Sequence, residues 1–342
     1  MEHKTRTEAP DRWVIGDSFA ICRSPGGDAV DLWSARRLPF DPKGELKEMR
    51  DRLATSLRTM ECAGERVLHA TYTSGVLAAC DTENVLFYNV GSAFSRSGSN
   101  GLRFERVFAE PPVLTESHAW RPVHHHRYDF ARSDDDFRYY RRGTLLADWD
   151  VQLESVSSSS DVAWLWHLMR SVPIHVHAIQ SGDVSPFALS LTLHAPEEAW
   201  VNPPNLLKPW FDAVVSAFQA HNGDDLSIVS ERLSKKLDVA QSDISACLMS
   251  REMAVLGVTR LLYPRAESVQ WSPADHRCVA GELLLKRSGD SQTTLSGELF
   301  EALPMGSAHQ CHLPLRVSPQ TRYLVTGVSN AHPHQNPRSI CA

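Results

Sequence analysis

An α+β fold is the expectation, from three observations. Strand-like and helix-like segments mix without the regular alternation of a parallel α/β protein. Apolar spacings of three and four mark several amphipathic helices, while the stretch beyond residue 278 is dominated by strand-like runs. No internal repeat of fixed period interrupts the pattern. The expected architecture is mixed, largely antiparallel sheets with packed helices and a helical hairpin near 225–250.

The elements follow in order. Trp13–Cys22 reads as a strand closed by a turn at Pro25-Gly-Gly. Asp41-Pro42 is expected to start a helix whose stripe is Leu46, Met49, Leu53, Leu57 and Met60. Val67–Thr73, Asn84–Val90 and Leu102–Phe108 read as strands, the last two joined by a mobile loop over 91–101. Residues 110–142 read as irregular and charged, with His124-His125-His126 in a loop. Thr144–Glu154 is a strand, Ser155–Ser160 a linker, and Asp161 caps a helix through Met169. A soft boundary near 157 divides portions 1–157 and 158–342, which could also form one unit.

In the second portion Ile174–Gln180 and Pro186–His194 read as strands, and 206–221 as a helix stopped by Asn222-Gly223. Helices over 225–237 and 241–250 make the hairpin. Val279–Arg287, Gln292–Phe300, His309–Val317 and Arg322–Val328 read as strands.

Composition narrows the function. The 35 basic against 41 acidic residues give a net charge of −6, which disfavours a nucleic-acid binder. No long apolar run predicts a membrane span. Seven cysteines, odd in number and without Cys-x-x-Cys, fit reduced thiols in a cytoplasm. The 16 histidines raise the question of a metal, but no subset has a closed ligand spacing. His175 and His177 share one strand face and lack a third ligand. No Walker loop, Gly-x-Gly-x-x-Gly, Gly-x-Ser-x-Gly or His-Glu-x-x-His occurs.

The most informative patch pairs Tyr88 with Leu102-Arg-Phe-Glu-Arg106. Alternation puts Arg103 and Glu105 on one strand face, a cation beside a carboxylate. The order of leading strand, helix, Val85-Leu-Phe-Tyr88, loop and Leu102–Arg106 resembles the elimination domain of class I lanthipeptide dehydratases. Its stand-alone relatives are the pyridine synthases of thiopeptide biosynthesis. The family carries alternating arginines there, and Glu105 in place of the second arginine points to the pyridine-synthase branch. Leu206–Asp212 and Gln270–Gly281 are also similar to that branch.

The resemblance implies an enzyme without metal or redox cofactor, acting on a modified precursor peptide. It would form a pyridine-centred macrocycle from two dehydroalanines and release the leader peptide. Holding two alkenes at reacting distance is then the main task. Glu105 would be the acid/base group, oriented by Arg103; Tyr88 would donate a hydrogen bond; His276 would be a second acid/base group. Arg106, His69 and Trp271 would bind substrate, Trp271 by stacking on azole rings.

Two other readings stay open. A non-catalytic module could add a peptide strand to the edge near Trp13–Cys22. A regulator could use 226–248 as a helix-turn-helix, although Gln241, Ser242, Asp243 and Ser245 suit DNA phosphates poorly.

Overall fold

Apolar segments from both portions of the chain pair into one sheet. The computed structural model describes residues 13–62, 64–76, 80–115, 118–153, 161–177 and 185–306. Its strands are β1 (Trp13–Ile15), β2 (Phe19–Arg23), β3 (Val30–Ser34), β4 (Arg66–Thr73), β5 (Gly101–Val107), β6 (His124–Arg132), β7 (Tyr140–Leu153) and β8 (His175–Val176). They continue with β9 (Phe187–Pro196), β10 (Ala220–His221), β11 (Val258–Thr259), β12 (Leu262–Arg265), β13 (Ser268–Trp271), β14 (Cys278–Ser288) and β15 (Thr293–Pro304). The helices are α1 (Glu45–Arg58), α2 (Thr82–Leu86), α3 (Val162–Ser171), α4 (Pro203–Ala217), α5 (Leu226–Leu237) and α6 (Gln241–Met249).

Among the described residues, eleven strands lie in the order β1-β2-β3-β6-β4-β5-β14-β9-β15-β7-β8. The pairs β4–β5 and β14–β9 are parallel and the other neighbours antiparallel. Strands from either side of residue 157 therefore interleave in this sheet. The fold is α+β, and α5 and α6 form the hairpin expected near 225–250. No helix among the described residues is long and apolar enough to cross a membrane.

Register sorts the side chains into two faces. Leu68, Ala70 and Tyr72 of β4 pair with Leu102, Phe104 and Arg106 of β5, and so share one face. That face is largely apolar, and α1, α2 and α4 contact its strands. The α1 stripe of Leu46, Met49, Leu53 and Leu57 is buried as its spacing predicts. Phe211 of α4 packs on Phe104 with ring centroids 5.3 Å apart. Gly281 lies opposite Phe104 on β14, where a Cβ would come within 2.6 Å of both rings. Only glycine leaves room for that contact. The other face carries His69, Arg103, Glu105, Asp129 and Glu282.

Several local expectations are corrected. Asn84–Val90 is not a strand: α2 runs into a 3-10 turn at Tyr88–Val90. Asp81 stands at the N-cap of α2, and a short apolar run does not by itself separate helix from strand. The 91–101 segment is anchored rather than a mobile loop, since Phe94 is buried against Phe87 and Tyr128. His124–His126 lie buried on β6 rather than in a charged loop. The first long helix starts at Glu45 after Gly44, not at Asp41. The expected linker at 155–160 and the strands at 309–317 and 322–328 lie outside the described residues.

Candidate functional site

Two ionic clusters lie on opposite faces of the β4–β5 pair. The first surrounds Glu105. Its partners across the sheet are Thr71 and Ala280, both small, so the side chain is reached diagonally by His69. His69 Nε2 lies 2.9 Å from Glu105 Oε2. The chain after β6 turns back over the carboxylate. The backbone N–H of Arg138 donates to Oε2 at 3.0 Å, and that of Tyr139 to Oε1 at 2.8 Å. Glu105 is fully buried, with both oxygens matched by donors.

The same imidazole faces Asp129, with Nδ1 3.5 Å from Oδ1. Asp129 Oδ2 accepts from Arg138 at 2.9 Å and Arg127 at 3.1 Å. Burial alone would push the Asp129 carboxyl up, but His69 and Arg138 outweigh it and hold the group well below the usual carboxylate range. Arg103 does not orient Glu105. Its Nη2 lies 2.6 Å and its Nε 2.8 Å from Oε2 of Glu282, its partner residue across β14. Ser190 donates to the other Glu282 oxygen at 2.6 Å. This face thus holds ion pairs in a closed interior, not a cleft under a loop; Glu105 is matched at both oxygens, whereas His69 Nδ1 and Asp129 Oδ1 face each other at 3.5 Å without a hydrogen bond.

The second cluster lies on the helix-covered face, at the C-terminal ends of β4 and β5. One turn of α4 brings Lys208 and Asp212 to the same side, and they pair as i and i+4 with Nζ 2.6 Å from Oδ1. Lys208 Nζ also lies 2.9 Å from Glu83, 2.9 Å from Asp275 and 3.9 Å from Asp81. Asp81 and Glu83 open α2, and Asp275 lies in the 3-10 turn before β14. Thr82 Oγ1 donates to the carbonyl of Cys278 at 3.3 Å, holding α2 on the start of β14.

Four carboxylates around one ammonium leave excess negative charge in a low-dielectric place. Burial, then the charge of Asp275, pushes the Asp81 carboxyl up to about 6 against the pull of Lys208. Burial pushes Asp212 up to about 8, and raises Glu83 as well. Burial would draw the Lys208 ammonium down, but the four carboxylates outweigh it and push it up.

His276 is next to this cluster, in contact with solvent but with its ring partly covered. Its imidazole is held below the usual range by burial of the ring and by Arg277, with Asp81 acting the other way. Arg106 adds to the same region: its guanidinium lies over Phe108 at 4.5 Å and donates to the Cys80 carbonyl at 3.3 Å.

Of the residues singled out in the sequence, Glu105 and His69 meet, as a buried pair. Arg106 and His276 belong to the opposite face. Tyr88 is exposed and stacks on Phe40 at 5.4 Å, away from Glu105. Trp271 lies on β13, packs on Trp166 at 5.5 Å and lines a shallow groove with Arg232 and Lys236. His175 and His177 both pair with Asp148 at the sheet's edge. Sequence reasoning passed over Asp81, Glu83, Lys208, Asp212 and Asp275 as functional groups. The signal available was the pair of stretches Leu206–Asp212 and Gln270–Gly281, which do converge here. No family model, curated protein or solved structure matches the chain.

Proposed function

We propose that the protein is an enzyme acting by acid/base chemistry on a modified precursor peptide, with its reaction centre at the Lys208 cluster. The observation that carries the reading is the convergence of Leu206–Asp212 and Gln270–Gly281 on Asp81 and Glu83. An ammonium, four carboxylates and the imidazole of His276 then share one region. Such a set can donate a proton to one atom and accept one from another, as holding an amide in its imidic form requires. The narrower reaction, a pyridine-centred macrocycle from two dehydroalanines with release of the leader, rests on the resemblance alone. Glu105 takes no direct part in this reading, because its oxygens are satisfied inside the protein; it supports the 133–139 segment.

The test is incubation with a precursor containing dehydroalanines and azoles, read by mass spectrometry. The expected products are the macrocycle and free leader peptide. His276→Ala should slow turnover by roughly 100-fold or more, the lower end for a general acid/base group. Recovery of the precursor unchanged sinks the reading.

A second reading, a peptide-binding module without catalysis, is favoured by the Phe40–Tyr88 stack. These rings are 69% and 51% exposed, an apolar platform open to solvent. Such a module would bind the precursor and return it unaltered.

A further inference from the structure

Lys208 cannot satisfy the carboxylates gathered around it. An ammonium has three N–H donors. Asp212 lies 2.6 Å from the nitrogen, and Glu83 Oε1 and Asp275 Oδ2 each lie 2.9 Å away. Asp81 is left at 3.9 Å. Glu83 Oε2 has no hydrogen-bond partner, although the residue is only 1% exposed, and Asp212 Oδ1 makes an ion pair with the ammonium but no hydrogen bond. A buried carboxylate oxygen without donor or counter-ion carries an uncompensated desolvation cost. That orphaned oxygen is an observation separate from the number of acids nearby. It says that something electropositive belongs beside Glu83 that Lys208 does not supply.

One oxygen or more from each of Asp81, Glu83 and Asp275 lies within 4.8 Å of the others. The frame is held from outside the carboxylates. Asn84 donates to Asp81 at 2.7 Å, and Thr82 ties α2 to the Cys278 carbonyl. The Lys208 side chain is 19% exposed, and Asp212 lies one turn away on its own helix, so the side chain can shift while keeping that partner.

We infer that Asp81, Glu83 and Asp275 form a binding site for one hard divalent cation, and that Lys208 withdraws toward Asp212 when the cation enters. Donors that are all carboxylate oxygen select Mg²⁺, Ca²⁺ or Mn²⁺ over softer ions. Water completes the coordination, as is usual for such ions with few protein ligands. This departs from the expectation of no metal drawn from sequence spacing. It shares residues with the reading above but uses none of its chemistry.

The test uses the full chain, stripped with a chelator and titrated with Mn²⁺ in the absence of any peptide. Loss of the free Mn²⁺ electron paramagnetic resonance signal reports binding. One Mn²⁺ per chain is expected, displaced by Mg²⁺ or Ca²⁺. Asp81→Asn, at the rim, and Asp275→Asn should each weaken binding at least tenfold. Asp148→Asn, near the far edge of the sheet, should bind as the wild type does. Circular dichroism checks folding; where Asp275→Asn misfolds, Asp81→Asn decides. No Mn²⁺ bound, or binding unchanged in Asp81→Asn, overturns the site. Mn²⁺ binding with no conversion of precursor removes the reaction and keeps the site; conversion by stripped protein that binds no Mn²⁺ does the reverse.

Discussion

The Glu105 cluster is buried and the Lys208 cluster partly so; both are ionic and carried on or packed against the same two strands. They differ in the balance of donors and acceptors. Glu105 receives His69 and two backbone N–H groups, so each oxygen is matched. Lys208 faces four carboxylates with three protons to give. A matched buried carboxylate acts as a pin, here fixing the return of the chain over the sheet. A mismatched one stores unfavourable charge that a proton or cation can relieve. Burial alone therefore does not mark a site; the crowding of four acids around one ammonium does.

The largest expected effect breaks the comparison at its centre. Lys208→Met should cost about 3–5 kcal/mol, because removing one partner leaves buried charge uncompensated. Urea unfolding at pH 7 measures it, and a loss below about 1 kcal/mol would mean the carboxylates are already neutral. Next, Glu105→Gln should cost about 1.5–3 kcal/mol, the range for a hydrogen bond to a charged group. Faster amide exchange at Arg138 and Tyr139 should accompany it; exchange as slow as in the wild type would argue that Glu105 does not pin this segment.

The pH response is smaller and has opposite signs in the two clusters. Asp129 is depressed, so its contribution is complete above its unfolded value near 3.8 and fades as pH falls through the lower folded value. Asp81 is raised to about 6, so the folded state prefers its acid form. Its contribution is present below 3.8 and lost as pH rises from there to about 6. Urea midpoints across pH should thus lose their acid-side fall in Asp129→Asn. They should lose part of the fall between 4 and 6 in Asp81→Asn. Identical profiles in both variants would erase the distinction.

The parts of this molecule that could be read in advance rest on local period. The α1 stripe, the α5–α6 hairpin and the alternation of Arg103 with Glu105 each depend on residues a few positions apart. The failures have the same root. Asn84–Val90 is too short for its apolar run to separate 3.6 from 2 as a period. His124–His126 look polar along the chain, yet Tyr72 and Asp31 satisfy His124 and His125 from neighbouring strands. Arg103 lies near Glu105 along the strand, but its partner Glu282 comes from 179 residues away.

Composition and period by themselves determined an α+β chain with amphipathic helices, a polar and an apolar side to β5, and acid/base side chains in both portions. Only the tertiary structure decided which charges meet. Asp81, Glu83, Lys208, Asp212 and Asp275 come from three distant segments; local spacing relates Lys208 to Asp212 and Asp81 to Glu83, but nothing local brings the three segments together. Their meeting depends on α2 and α4 crossing the same strand ends, a consequence of sheet register and helix packing that acts over the whole chain.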